Sequence, residues 1–158
     1  MLILSGMQMG RIAAGKLWDR ADALHELAHM AELLRGEMAA RQSLPAVCRR
    51  YEGLPGADGT FFRLLAEEID RPGKDLEEYW QSSLNGAFGQ VLSSREMYAF
   101  QMLAGALRTG ESFDALAQRC AAGMEEAAAA AREKARQDSR MWTGLGLAAG
   151  AALAVLLI

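Results

Sequence analysis

An all-α fold, a compact bundle of about six helices with a C-terminal transmembrane helix, is predicted by three features of this sequence. Alanine, leucine, glutamate, arginine and methionine are common, while valine and isoleucine are scarce outside the tail, a mixture that favours helix and leaves little to build a sheet. Apolar residues recur at three- and four-residue steps, and no alternating run extends beyond a few residues. Residues 141–158 carry no charge, and as a helix rising about 1.5 Å per residue they reach about 27 Å, close to the thickness of a hydrocarbon core. The chain therefore divides into a short apolar N-terminal segment (1–16), a helical domain facing the cytoplasm (17–140) and a membrane anchor (141–158).

Of 158 residues, those before the anchor suffice for one domain with a single core. A formal net charge of −3 argues against nucleic acid as the main partner. Cys48 and Cys120 are far apart in sequence and form no CxxC pair. Free thiols in a reducing compartment are expected, with a disulfide between them the alternative. Arg132, Lys134, Arg136 and Arg140 precede the anchor, and basic residues beside a span mark its cytoplasmic side.

The elements follow in order. Met1 to Met9 is apolar but too short to span a bilayer before Arg11 and Lys16 interrupt. From about Ile12 to Arg41 a long helical pattern places Leu24, Leu27, Ala28, Ala31, Leu34 and Met38 on one face, with Arg35 intruding. Ser43 can cap a short second helix with Pro45 in its first turn, ending by Gly53. Residues Gly53 to Gly59, GLPGADG, are the clearest loop. A third helix, Thr60 to Asp70, turns Phe61, Leu64, Leu65 and Ile69 inward and stops at Arg71-Pro72-Gly73. Asp75 and Glu78 have capping-box spacing for a fourth, Leu76 to Leu84, carrying Tyr79 and a core Trp80. A looser patch begins at Asn85-Gly86. Ser93 and Glu96 repeat the capping-box spacing before a helix with Met97, Phe100, Leu103, Ala104 and Leu107 inward, ended by Thr109-Gly110. A last helix starts near Ser112 and continues unbroken through the alanine run into the anchor.

One motif resembles chemistry. His25-Glu26-Leu27-Ala28-His29 spells H-E-x-x-H on a helix, the arrangement in which two histidines bind zinc and the glutamate activates water. A membrane-anchored zinc metallopeptidase, with His25 and His29 as metal ligands and Glu26 as catalytic base, is therefore the alternative function. Against it, a catalytic zinc needs a third protein ligand, and no further histidine or recognisable acidic motif supplies one. With Leu24 as origin of a helical wheel, the apolar face centres at about −40°, while His25 falls at about 100° and His29 at about 140°. The pair thus faces away from the core, as solvent-facing histidines near Glu26 and Glu32. No enzymatic activity and no cofactor are expected.

Other constellations bear on contacts. In the anchor, Met141 and Trp142 mark the boundary, where an amphipathic indole is favoured, and the span closes at Ile158. Gly146, Gly150 and Ala154 form a small-residue stripe that lets two membrane helices approach closely and build a homo-oligomer; the same composition also suits a plain Ala/Gly-rich span. Arg49, Arg50, Arg63, Arg71 and Lys74 are basic points around the middle helices, a candidate partner-docking face or ordinary solvated charge. Trp18 suits either core or surface.

The order of parts resembles the stage III sporulation protein AB family. The run LHELAHMAELLRGEM from Leu24 to Met38 followed by Ser43-Leu44-Pro45 is similar to the family's opening helices, and Phe61-Phe62-Arg63-Leu64-Leu65 continues that register. LAGALRTG from Leu103 to Gly110 before a long helix, and RMWTGLG from Arg140 to Gly146 before a terminal apolar run, resemble its later half and closing anchor. The resemblance implies a helical domain related to the cytoplasmic domain of the type II secretion platform protein F. It also implies a place in the mother-cell membrane around the forespore, in a channel-like assembly. Its implied partners are a cytosolic secretion-type ATPase and other membrane proteins of the same operon, beside the membrane lipid that the apolar tail itself calls for. Family members open on a full membrane span, where this chain has the shorter stretch Met1 to Met9.

Overall fold

A computed structural model describes the backbone of residues 2–156 except 72 and 111, and the side-chain environment of residues 15–141 with the same exceptions. The described residues form six helices and no strand: α1 (Leu2–Ala39), α2 (Leu44–Tyr51), α3 (Ala57–Ile69), α4 (Leu76–Phe88), α5 (Ser94–Thr109) and α6 (Phe113–Leu156).

The two long helices pack along each other as the dominant contact of the fold. They run antiparallel: Arg35 pairs with Asp114 at 3.3 Å and Arg132 with Asp22 at 3.8 Å, and between them the His25 imidazole meets the Glu125 carboxylate at 2.6 Å. Both leave the bundle at its Asp22–Arg132 end. Alanines recur among the buried residues of both: Ala21, Ala28 and Ala31 on α1; Ala117, Ala121, Ala128, Ala131 and Ala135 on α6. Small side chains let helix axes approach closely.

The four shorter helices fold back and forth against this pair, each packed on the next. Their centre is aromatic. The ring centroids of Phe61 and Trp80 are 5.1 Å apart, those of Phe61 and Phe100 5.7 Å, both edge-on, and Trp80 stacks on Phe100 at 5.4 Å. All three rings are fully buried with Phe62, Phe88, Leu24, Leu27 and Leu34. Such rings bury large areas, and pairs in these geometries add about 0.5–1.5 kcal/mol each beyond area burial.

Local chemistry explains the boundaries. At α5 the predicted capping box is complete: the Ser93 hydroxyl accepts from the Glu96 amide, and the Glu96 carboxylate accepts from the Ser93 amide at 2.9 Å. Gly110 ends that helix in the left-handed conformation, φ 70°, which a residue without Cβ adopts without strain. Pro45 lies in the first turn of α2. Three expectations are corrected. The box at Asp75 and Glu78 does not form, because the Asp75 side chain makes no cap bond. α4 runs past Asn85-Gly86 to Phe88, since Phe88 is buried and Leu64 presses against Gly86, where a Cβ would lie 2.7 Å from its Cδ1. α3 begins at Ala57, inside the predicted loop, for a reason that lies on α1.

Candidate functional site

α1 displays the H-E-x-x-H residues on two different sides. His25 and His29 are exposed, as the wheel predicted. His25 meets α6 through its Nδ1 and the Glu125 carboxylate. Glu26 points the other way, to the start of α3. Its Oε2 accepts the Ala57 backbone N–H at 3.0 Å, one of the amide groups that a helix N-terminus leaves without an internal partner. The N-cap of α3, Gly56, offers no side chain for the task. A carboxylate at a helix N-terminus is further favoured by the helix dipole. Burial pushes the Glu26 carboxyl above its ordinary range; the Ala57 amide pulls it back, and Asp58 and Asp22 push it up again. Among the described residues, no group of three or more His, Cys, Asp and Glu side chains is arranged to hold a metal ion. The arrangement gives Glu26 a structural use that the H-E-x-x-H spelling conceals. The signal was present in the sequence only as a glycine-rich helix start in need of an acceptor.

The basic points divide. Arg49 pairs with Asp70 at 3.1 Å, Arg50 with Glu37 at 2.9 Å, and Arg63 with Glu67 on its own helix at 3.5 Å. Tyr51 joins the second pair, its hydroxyl donating to Glu37 Oε1 at 2.6 Å. That bond, with the Arg50 guanidinium, holds the Glu37 carboxyl below its ordinary range against partial burial. Arg71 and Lys74 line a small hollow with Glu68 and Tyr79. The loop around them is tied by Tyr79, whose hydroxyl donates to the Arg71 carbonyl oxygen and accepts the Lys74 amide. Arg71 and Lys74 therefore share a hollow with Glu68 near the end of α3, Arg49 reaches Asp70 at that same helix end, and Arg50 turns to Glu37 near the end of α1. Arg63 stands apart. The other four are at the end of the bundle remote from Arg132.

The predicted anchor falls largely outside the residues with described side chains. That holds for Trp142, Gly146, Gly150, Ala154 and Ile158; Met141, the last described, is exposed. α6 continues through this region to Leu156. Among the described residues, no helix is long and apolar enough to cross a membrane.

Two groups with potential chemistry are quiet. Cys48 and Cys120 are free, buried thiols. Burial pushes Cys48 up to about 12 and Cys120 up to about 11, and a thiol so desolvated is a poor nucleophile. Sequence reasoning also missed the exposed apolar side chains Val91, Tyr98 and Met102, for each of which periodicity gives no warning.

Over residues 1–158, the whole chain, the sequence matches the family model described as Stage III sporulation protein AB. No curated protein and no solved structure matches it.

Proposed function

This chain belongs to the stage III sporulation protein AB family, and from that premise we propose that it is a non-enzymatic platform component of a sporulation channel or secretion-like assembly in the mother-cell membrane around the forespore. Membership carries a role in sporulation. The observation that carries the finer reading is the antiparallel pairing of α1 and α6. It sends the ends of α1 and α6 that carry residues 2–9 and 141–156 out from one end of the bundle, and leaves Arg49, Arg71 and Lys74 at the other.

In this reading the tail lodges in the bilayer, with Arg132, Lys134, Arg136 and Arg140 on its cytoplasmic side. The remote basic end docks a cytosolic secretion-type ATPase. Its acidic counterpart would displace the weak surface pair of Arg49 with Asp70, which contributes little to stability. The aromatic core makes the bundle rigid, so a push from the motor reaches the tail through two parallel rods. The Gly146, Gly150 and Ala154 stripe then brings neighbouring spans together.

The test is affinity capture of the full-length protein from sporulating cells in mild detergent. Recovery of the ATPase with the wild type, and its loss with the pair R71E and K74E, is the expected result. Capture of no ATPase by the wild type, or equal capture by the charge-reversed protein, overturns the docking.

A further inference from the structure

We propose that the turn between α4 and α5 is a second contact with the bilayer, seated on anionic headgroups and fixing how the bundle leans. The inference rests on the reading that 141–158 is membrane-embedded.

Three connections, α1–α2, α3–α4 and α5–α6, lie at the remote end, as the pairs Arg50–Glu37, Arg49–Asp70 and Arg35–Asp114 show. The α4–α5 turn lies at the opposite end. Arg20 of α1 binds Glu96 in the first turn of α5, and the turn's Gln90 and Val91 share a cleft with Lys16 and Asp19. Running from Glu96 back to Val91, the chain thus moves from the level of Arg20 toward that of Lys16, in the direction of the tail. The register of the α1–α6 contacts Asp22–Arg132 and His25–Glu125 sets Lys16 beside residues 134–138 of α6, which is about 5–10 Å of helix before Met141. The headgroup layer on each side of a bilayer is about 5–8 Å deep. A span tilt of about 20°, the ordinary value, lowers a feature displaced about 10 Å sideways by a further 3–4 Å or so. The turn reaches the headgroups without any change in the fold.

Its chemistry suits that surface. Val91 is 43 % exposed although Phe88 and Leu92 on either side are buried and hold it in place. The Val91 and Leu92 amides both donate to the Phe88 carbonyl, at 3.0 and 2.8 Å, so the apolar side chain is presented by a stiff turn. Lys16 shares its cleft and Arg95 follows four residues on in the first turn of α5, both exposed and without an ion-pair partner among the described residues; Asp19 is the acidic group facing the same cleft, and Glu96 is held by Arg20. An apolar tip ringed by more positive than negative charge matches an anionic interface, where each basic residue near the surface adds attraction.

The full-length protein is reconstituted in nanodiscs of zwitterionic lipid with or without anionic lipid, after labelling V91C with an environment-sensitive fluorophore. T109C, at the remote end, is the reference, and Cys48 and Cys120 are shielded by burial. Nitroxide lipids labelled near the headgroup should quench the label at position 91 at least twofold more than at 109. The excess should grow with anionic lipid and fall when Lys16 and Arg95 are replaced by glutamate. Equal quenching at both positions, in protein that resists alkaline extraction, overturns the second contact while leaving the anchor standing. Protein that alkali extracts overturns both.

Discussion

Glu26 separates a structural carboxylate from a catalytic one, and two substitutions read the difference. In Glu26→Ala the Ala57 amide loses its acceptor while Gly56 can supply no replacement. Loss of a helix cap costs about 0.5–2 kcal/mol; with Glu26 only partly buried, so that water reaches the freed amide, about 1 kcal/mol is expected. For a domain of this size that is about 3–4 °C in melting temperature. Glu26→Gln keeps a carbonyl oxygen for the same amide but removes a charge that burial, Asp58 and Asp22 all disfavour. It should melt at or above the wild type at neutral pH. The sign of the pH dependence follows. A carboxyl raised in the folded state holds its proton more tightly there than in the unfolded chain, so its ionisation weakens folding as pH rises through the raised value. The advantage of Glu26→Gln should therefore shrink as pH falls and the wild-type carboxyl becomes neutral. The assay is thermal unfolding of the full-length protein in detergent followed by far-UV circular dichroism, beside zinc analysis of the same samples. Stoichiometric zinc that His29→Ala abolishes, with both Glu26 variants as stable as the wild type, would refute the reasoning.

Three further outcomes are expected. Ser83→Ala should be neutral or slightly stabilising in the same melt, because the Ser83 hydroxyl is buried without a partner and an unsatisfied polar group costs about 1–3 kcal/mol. Ser93→Ala should lower stability by about 1 kcal/mol, the ordinary worth of an N-cap. It should also raise the Glu96 carboxyl as read by NMR: burial raises that group, and the Ser93 hydroxyl and amide with the Arg20 guanidinium hold it down. Cys48 and Cys120 should react with a thiol reagent only as fast as the protein opens, so denaturant should accelerate modification by orders of magnitude; prompt reaction in the native state would contradict their burial.

Much of the fold was legible because helix periodicity is a one-dimensional signal. The α1 stripe from Leu24 to Leu34, the Ser93–Glu96 box and the core position of Trp80 all follow from spacing. What the sequence misplaced depends on contacts between helices. Asn85-Gly86 reads as a break, yet Leu64 of α3 needs the space a glycine leaves. GLPGADG reads as loop to its end, yet the last part is helix because Glu26, far away in sequence, satisfies its first amide. The candidate site was legible only as a list. The five basic residues were named together, but the structure puts Arg71 and Lys74 in a hollow with Glu68, pairs Arg49 with Asp70 and leaves Arg63 on its own helix. Which way each histidine of H-E-x-x-H faces was readable from the wheel; what Glu26 touches was not.

The alanine-lined seam between α1 and α6 has a mechanical side. Alanines on both faces let the two helices lie close, and Leu24 beside Cys120 and Met124 is a bulkier point of contact along the seam. Across the seam Asp22 meets Arg132, the His25 imidazole meets Glu125 and Arg35 meets Asp114, surface contacts that each add little alone but share one alignment. A slip of one turn, about 5.4 Å, would have to release all three at once.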